Sequence, residues 1–266
     1  MPPARKRART RSYDSARIRA AVLAQFGHVR ATVRTLTPEQ LALPTRLEGW
    51  TVRELAAHFA LVVGAVTRQV RQPEPPKAEV ALLDWPFTTA GWARAIDEDT
   101  RTIVEAADDL DALYEVTATE IADTLASTPD DRLIRTRMGA MSLGDYLVTR
   151  TVELVVHTDD LNAATGLGTA YDRQALASCV RLLADALAVK APGGAVEVRI
   201  PPYAVVQCVE GPRHTRGTPP NVVETDPLTW IRLATGRTEW SEAVGRAKVG
   251  ASGERADISG LLPLMS

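Results

Sequence analysis

Thr151-Val-Glu153-Leu-Val-Val-His157-Thr-Asp159-Asp160-Leu-Asn-Ala-Ala-Thr165-Gly166 is the stretch on which the reading of this chain turns. Its apolar residues recur at helical spacing, and Gly166 stands where a helix ends on a residue free to take positive φ. Inside that helix Glu153 and His157 are four residues apart, and positions i and i+4 share one face. Apolar neighbours flank both, so the point at which they aim is screened from water. Burying a carboxylate and an imidazole is costly unless something pairs with them. A divalent metal is a natural partner, and it requires at least one further ligand from elsewhere in the chain.

His58 supplies that candidate. It lies in Glu54-Leu-Ala-Ala-His58-Phe-Ala-Leu61, behind Thr51-Val-Arg-Glu54. Those four residues form a capping box, in which the Thr side chain and the Glu side chain satisfy each other's backbone N–H groups. Three protein ligands with an open position is the pattern of catalytic zinc. Two histidines and one carboxylate also match the non-haem iron arrangement, so spacing does not choose the metal. The competing reading is three unrelated polar residues, each satisfied separately in a helical core. Asp160 is placed to orient a ligand from behind; otherwise Asp159 and Asp160 read as helix-surface polarity. His28 reads as a partly exposed helical residue and His214 as a solvated loop residue. Cys179 falls on an apolar helix face and reads as core.

Outward from this centre, apolar spacing predicts a helix over residues 13–36, a short turn at Thr37-Pro38-Glu39-Gln40, and the capped helix from Thr51 to the Pro-rich loop at 72–77. A third helical segment is expected over 89–125, with a break near Asp109, followed by a linker between Pro129 and Gly139. Ser142 to Asp145 is a second N-terminal capping signal, and one more helix is expected over 172–189. The character then changes. Residues 195–200, 204–209 and 221–225 read as strands, and Asp226-Pro227 starts a helix. A short helix is expected over 238–245 and a final strand or turn pair over 248–260. The fold class is α+β. A basic tail over 1–12 precedes a metal-binding helical bundle over 13–191, and a small α+β domain occupies 192–266.

The 266 residues carry 45% hydrophobic and 24% charged residues and a net charge of -2. That balance gives no strong field toward nucleic acid or a membrane surface. The basic run Arg5 to Arg11 reads as a disordered, solvated tail. No apolar run is long enough for a membrane span, and the basic start is not followed by an apolar stretch, so it is not expected to act as a secretory signal. Two cysteines without a CxxC spacing fit a reducing compartment, so a cytoplasmic protein is expected.

Leu47-Glu-Gly-Trp50-Thr51-Val-Arg-Glu-Leu55-Ala-Ala-His58 resembles a signature of the mycothiol-dependent maleylpyruvate isomerase family, and Glu153-Leu-Val-Val-His157-Thr-Asp-Asp160-Leu161 resembles a second. The resemblance covers about residues 14–190. It implies a DinB-like four-helix bundle with His58, Glu153 and His157 as metal ligands, the residues that spacing also selects. Trp230-Ile-Arg-Leu-Ala-Thr-Gly236-Arg237, followed by Trp240, is similar to a helix of the sterol-carrier-like domain that such proteins carry. In the isomerase an arginine of the C-terminal domain takes part in the reaction, which makes Arg237 the catalytic candidate.

The expectation is a metal-dependent enzyme, with zinc as the leading ion, using a mycothiol-type thiol on a small, acidic electrophile as isomerase or thiol transferase. The alternative is a non-catalytic carrier of a small molecule or lipid in the sterol-carrier-like domain, with a structural or vestigial bundle metal. A third reading is a bundle without metal that serves as an interaction module. Oligomeric state is not encoded in any motif.

Overall fold

The structure is a computed structural model and describes residues 11–107, 109–212 and 219–265. The basic run before Arg11 and the loop residue His214 lie outside the described residues.

Four helices make the N-terminal bundle. They are α1 (Ser15–Val33), α3 (Val52–Val70), α5 (Leu110–Ser127) and α6 (Leu143–Thr165), with the short α2 (Pro38–Leu41) between the first two and α4 (Ala93–Ala106) before the third. α1 packs on α5 and α6, and α3 packs on the same two helices, which closes a ring. The starts are set by side-chain caps. Asp14 accepts from the Arg17 amide, Thr51 and Glu54 form the expected capping box, and Ser142 accepts from the Asp145 amide. At the far end of α6, Gly166 takes φ 70°, so the helix closes on the one residue type without a Cβ to clash there.

α6 is buried along most of its length and on every side, from Leu143 to Leu161. A helix of this kind has no solvent face to set aside for polar residues. Asp159 is therefore buried, at 3% exposure, and Asp160 is buried completely. The helix-surface reading of this pair is corrected.

Two further corrections concern short elements. The linker expected between Pro129 and Gly139 is a β-hairpin, β1 (Leu133–Thr136) against β2 (Gly139–Ser142). Gly139 takes φ 125° and the Thr136 hydroxyl donates to its carbonyl at 2.7 Å, which fixes the turn at Arg137-Met138. Ahead of α4, residues Leu82–Phe87 and Thr89–Trp92 form 3-10 turns that place Trp85 in the core. The break between α4 and α5 falls where Asp109 caps the second helix. His28 is exposed, and Cys179 and Cys208 are buried thiols.

α7 (Arg173–Lys190) follows, capped by Asp172, and leads into a sheet of β3 (Val196–Ile200), β4 (Ala204–Cys208), β5 (Val222–Thr225) and β6 (Val249–Ser252). The order is β4-β3-β5-β6, with β3 and β5 parallel and the outer pairs antiparallel. α8 (Pro227–Ala234) and α9 (Trp240–Gly245) lie between β5 and β6, and the expected closing strand or turn pair takes the form of β6 followed by a 3-10 turn at Ser259–Leu261. One face of α7 packs on α1 and α6, and another packs on β4 and α8. The inward side chains Val196, Val198, Ile200, Cys208, Val223, Trp230 and Ile231 are buried in the continuous core. Among the described residues no helix is long and apolar enough to cross a membrane.

Candidate metal centre

α3 and α6 lie side by side, and each turns a polar residue into their shared seam. His58 comes from α3, Glu153 and His157 from α6, and one ligand-type atom from each lies within 4.8 Å of the others. Glu153 Oε2 is 3.3 Å from His157 Nε2 and 3.7 Å from His58 Nε2. These separations are long for hydrogen bonds. They match the spacing of two ligands on one tetrahedral ion, which at zinc bond lengths sit about 3.4 Å apart. The two imidazole rings meet edge to face at 4.7 Å between centroids, with Trp50 against the other side of His58 at 5.0 Å.

The far nitrogen of each histidine is accounted for. His157 Nδ1 is 3.0 Å from Asp160 Oδ2, and His58 Nδ1 is 3.4 Å from the Thr100 hydroxyl. A proton on each Nδ1 leaves each Nε2 lone pair facing Glu153, the tautomer that metal ligation needs. Burial pushes His58 down to about 4, against the pull of Glu153, so it is neutral at physiological pH. Burial also acts to lower His157, but its hydrogen bond with Asp160 and the nearby Glu153 carboxylate outweigh it and lift this imidazole. Burial would raise Glu153, yet the facing imidazoles of His157 and His58 and the charge of Arg150 hold its carboxyl well below the usual range. A divalent ion at the Nε2 atoms therefore meets an ionised carboxylate and displaces at most the His157 proton. The donor set fits a divalent metal.

Behind the triad stands a second layer that joins the two ends of the chain. Arg237 gives Asp160 two hydrogen bonds, Nη2 to Oδ2 at 2.9 Å and Nε to Oδ1 at 3.2 Å, and a third to the Thr235 carbonyl. Asp159 accepts from Arg232 Nε at 2.9 Å and from Arg46 Nη1 at 2.8 Å. Arg237, the catalytic candidate, is thus spent on Asp160. Among the described residues it does not belong to the cavity lining.

That cavity opens from the triad between α3, α6, the hairpin turn and the 3-10 segment. His58 and Glu153 form one end, Trp85, Trp92, Val62 and Met138 give apolar walls, and three arginines line it: Arg68, Arg137 and Arg150. Arg150 is buried, lies over the Tyr146 ring at 4.3 Å and approaches Glu153 at 3.9 Å. None of the three arginines is visible as a site residue in the sequence. They come from separate elements without shared spacing, and Arg137 belongs to the hairpin turn read as linker.

Comparison with known proteins bears on this arrangement. The family model described as "Mycothiol maleylpyruvate isomerase N-terminal domain" matches residues 22–162, which is more than half of the chain. The chain belongs to that family. A second model, "Bacterial SCP ortholog", matches residues 172–264 and so takes in α7 as well as the sheet. The crystal structure of the mycothiol-dependent maleylpyruvate isomerase superposes with a TM-score of 0.59 at 16% identity, over 90% of this chain and 93% of that one. The structure of a point mutant of that isomerase gives the same values. At this identity the likeness establishes the shared fold. No curated protein sequence matches the chain. The α+β architecture with a helical bundle first, expected from the two signatures, is the fold the family shares.

Proposed function

We propose that the chain is a metal-dependent, thiol-using enzyme that acts on a small acidic electrophile, as an isomerase or a thiol transferase. The observation that carries this reading is the convergence of His58, Glu153 and His157 at ligand spacing at one end of a cavity with cationic walls. A divalent ion held there, zinc first among the candidates, lowers the pKa of a bound thiol so that it is nucleophilic at neutral pH.

The chain's own residues do the rest. Glu153 and the two Nε2 atoms provide the ligand atoms, and Asp160 and Thr100 keep both rings turned toward them. Val62, Trp85, Trp92 and Met138 keep water from the reacting end, which strengthens electrostatic interactions inside the cavity. Arg150, beside Glu153, places positive charge where an acidic substrate enters. Family membership supports the thiol as cosubstrate, with mycothiol the first to test.

The carrier reading has less support. The inward face of the sheet is filled by Val196, Val198, Ile200 and Val223 rather than open to a lipid chain. A shallow depression beside it is lined by Arg199, Glu224, two prolines, Tyr203, Ala204 and Val205, so it mixes charge with apolar surface.

The test is elemental analysis of protein purified without a metal-affinity column. About one zinc per chain is expected in the parent and close to none in His58→Ala, because two remaining ligands do not hold a catalytic-type ion. Unchanged metal content in His58→Ala would sink the triad.

A further inference from the structure

We infer that Arg68 is the anion anchor of the cavity, holding a carboxylate of the ligand whose reacting end lies at His58, Glu153 and His157. The inference rests on the proposed reading of that triad.

The three cavity arginines differ in what they already hold. Arg137 is ion-paired with Asp99, and Arg150 is buried beside Glu153. Arg68 has, among the described residues, no carboxylate within 4.0 Å; it donates only to the Leu61 carbonyl, at 3.0 Å. That carbonyl lies in mid-helix, where the amide four residues on already serves it, so the bond meets no backbone need. Arg68 remains exposed to solvent and can exchange water for a ligand.

Gly64 explains how Arg68 reaches this position. Glycine is among the poorest residues for a helix interior, and Gly64 sits within α3. A Cβ on it would lie 2.9 Å from Arg68 Nη1. The bare backbone at Gly64 is the groove in which the Arg68 side chain folds back toward the helix N-terminus. The guanidinium thereby reaches Leu61, three residues from His58, or about 4.5 Å along the helix axis. Val62, Trp85 and Met138 line the same cavity and give it an apolar wall. The recognised chemistry is therefore a short carboxylate with an apolar span of a few bonds between its charge and the reacting centre. A guanidinium suits this task because its parallel N–H groups match the two carboxylate oxygens.

The experiment measures maleate binding to the zinc-loaded full chain by calorimetry, with monomethyl maleate as the probe lacking one carboxylate charge. The parent is expected to prefer maleate over the ester about tenfold. Arg68→Gln should weaken maleate binding about tenfold to a hundredfold and erase that preference. Gly64→Ala keeps the arginine but displaces it. It should weaken maleate severalfold while the melting temperature holds or rises, a combination that a purely structural role for Gly64 does not produce. Zinc content is measured on the same samples. Full zinc in all three proteins with equal maleate affinity overturns the anchor and leaves the metal reading standing. Zinc-loaded parent that binds no maleate overturns the anchor in the same way. A parent that cannot hold zinc removes both.

Discussion

Within eight residues of α6, two pairs of polar side chains meet opposite fates. Asp159 and Asp160 are saturated. Arg46, Arg232 and the Tyr171 hydroxyl converge on the first, at 2.8, 2.9 and 3.2 Å, and Arg237 and His157 on the second, at 2.9 and 3.0 Å. Glu153 and the inner nitrogen of His157 face each other across the seam at 3.3 Å, with His58 Nε2 at 3.7 Å from Glu153, too far for full hydrogen bonds. Both pairs are screened from bulk water by the same helices. The difference teaches how to tell architecture from site in a buried helix. Where every lone pair has a donor, the charges tie elements together. Where the geometry is left open, the charges await something the chain does not supply.

The comparison can be broken at either end. The largest effect is expected at the saturated end. Asp160→Ala leaves the half-buried Arg237 without its partner, and should cost about 3 kcal/mol in denaturant unfolding of the metal-free protein. The same variant frees His157 Nδ1 and should weaken zinc about tenfold to a hundredfold. Glu153→Gln inverts the balance: zinc binding is abolished, while metal-free stability falls by only about 1 kcal/mol. Equal stability losses in the two variants would remove the distinction drawn above.

Acid offers a milder probe. Asp159 is held below the usual carboxylate range; burial opposes this, and the hydrogen bonds and charges of Arg232 and Arg46 outweigh it. A carboxyl lowered on folding contributes stability that is complete above its unfolded pKa of about 3.9 and disappears as pH falls through the lower folded value. The Asp159 share of metal-free stability, read from the melting temperature, should therefore stay constant down to about pH 5 and be lost below about pH 4, on top of the loss that begins below about pH 6.5 as the buried, neutral His58 is forced to take up a proton. Asp159→Asn should flatten that acid limb by about 1 kcal/mol, since both arginine partners are partly exposed and screened. A steeper limb in the variant would show that the clamp carries no net charge stabilisation. The smallest effect is expected for the same chemistry in open water. Arg94 and Glu98 pair at 2.9 Å on the surface of α4, and Glu98→Ala should change stability by less than about 0.5 kcal/mol.

The sequence made the open end legible and left the saturated end obscure, for a physical reason. Glu153 and His157 are linked by a helical period, and His58 sits behind a capping box that announces its helix. Asp159 and its partners Arg46 and Arg232 are separated by 113 and 73 residues, and no local rule connects them. The helix-surface reading of Asp159 and Asp160 failed because it presumed a wet face, and α6 has none. Arg237 was legible as a residue of interest through family resemblance, but its attachment to Asp160 is a tertiary fact. The hairpin escaped for another reason: strands of four residues are too short for alternation to register. Its loss hid Arg137 and Met138 from the cavity wall.

α7 has a practical consequence for anyone who would dissect this protein. Its two faces are claimed by different halves, one by α1 and α6 and the other by β4 and α8. A chain ended after Lys190 would uncover the side of α7 that meets β4 and α8. A chain begun at Pro192 would strip the sheet of its roof. Splitting the gene at the glycines that follow α7 should yield two sticky fragments. Duplicating α7 so that each fragment carries a copy is the cut that should keep both soluble.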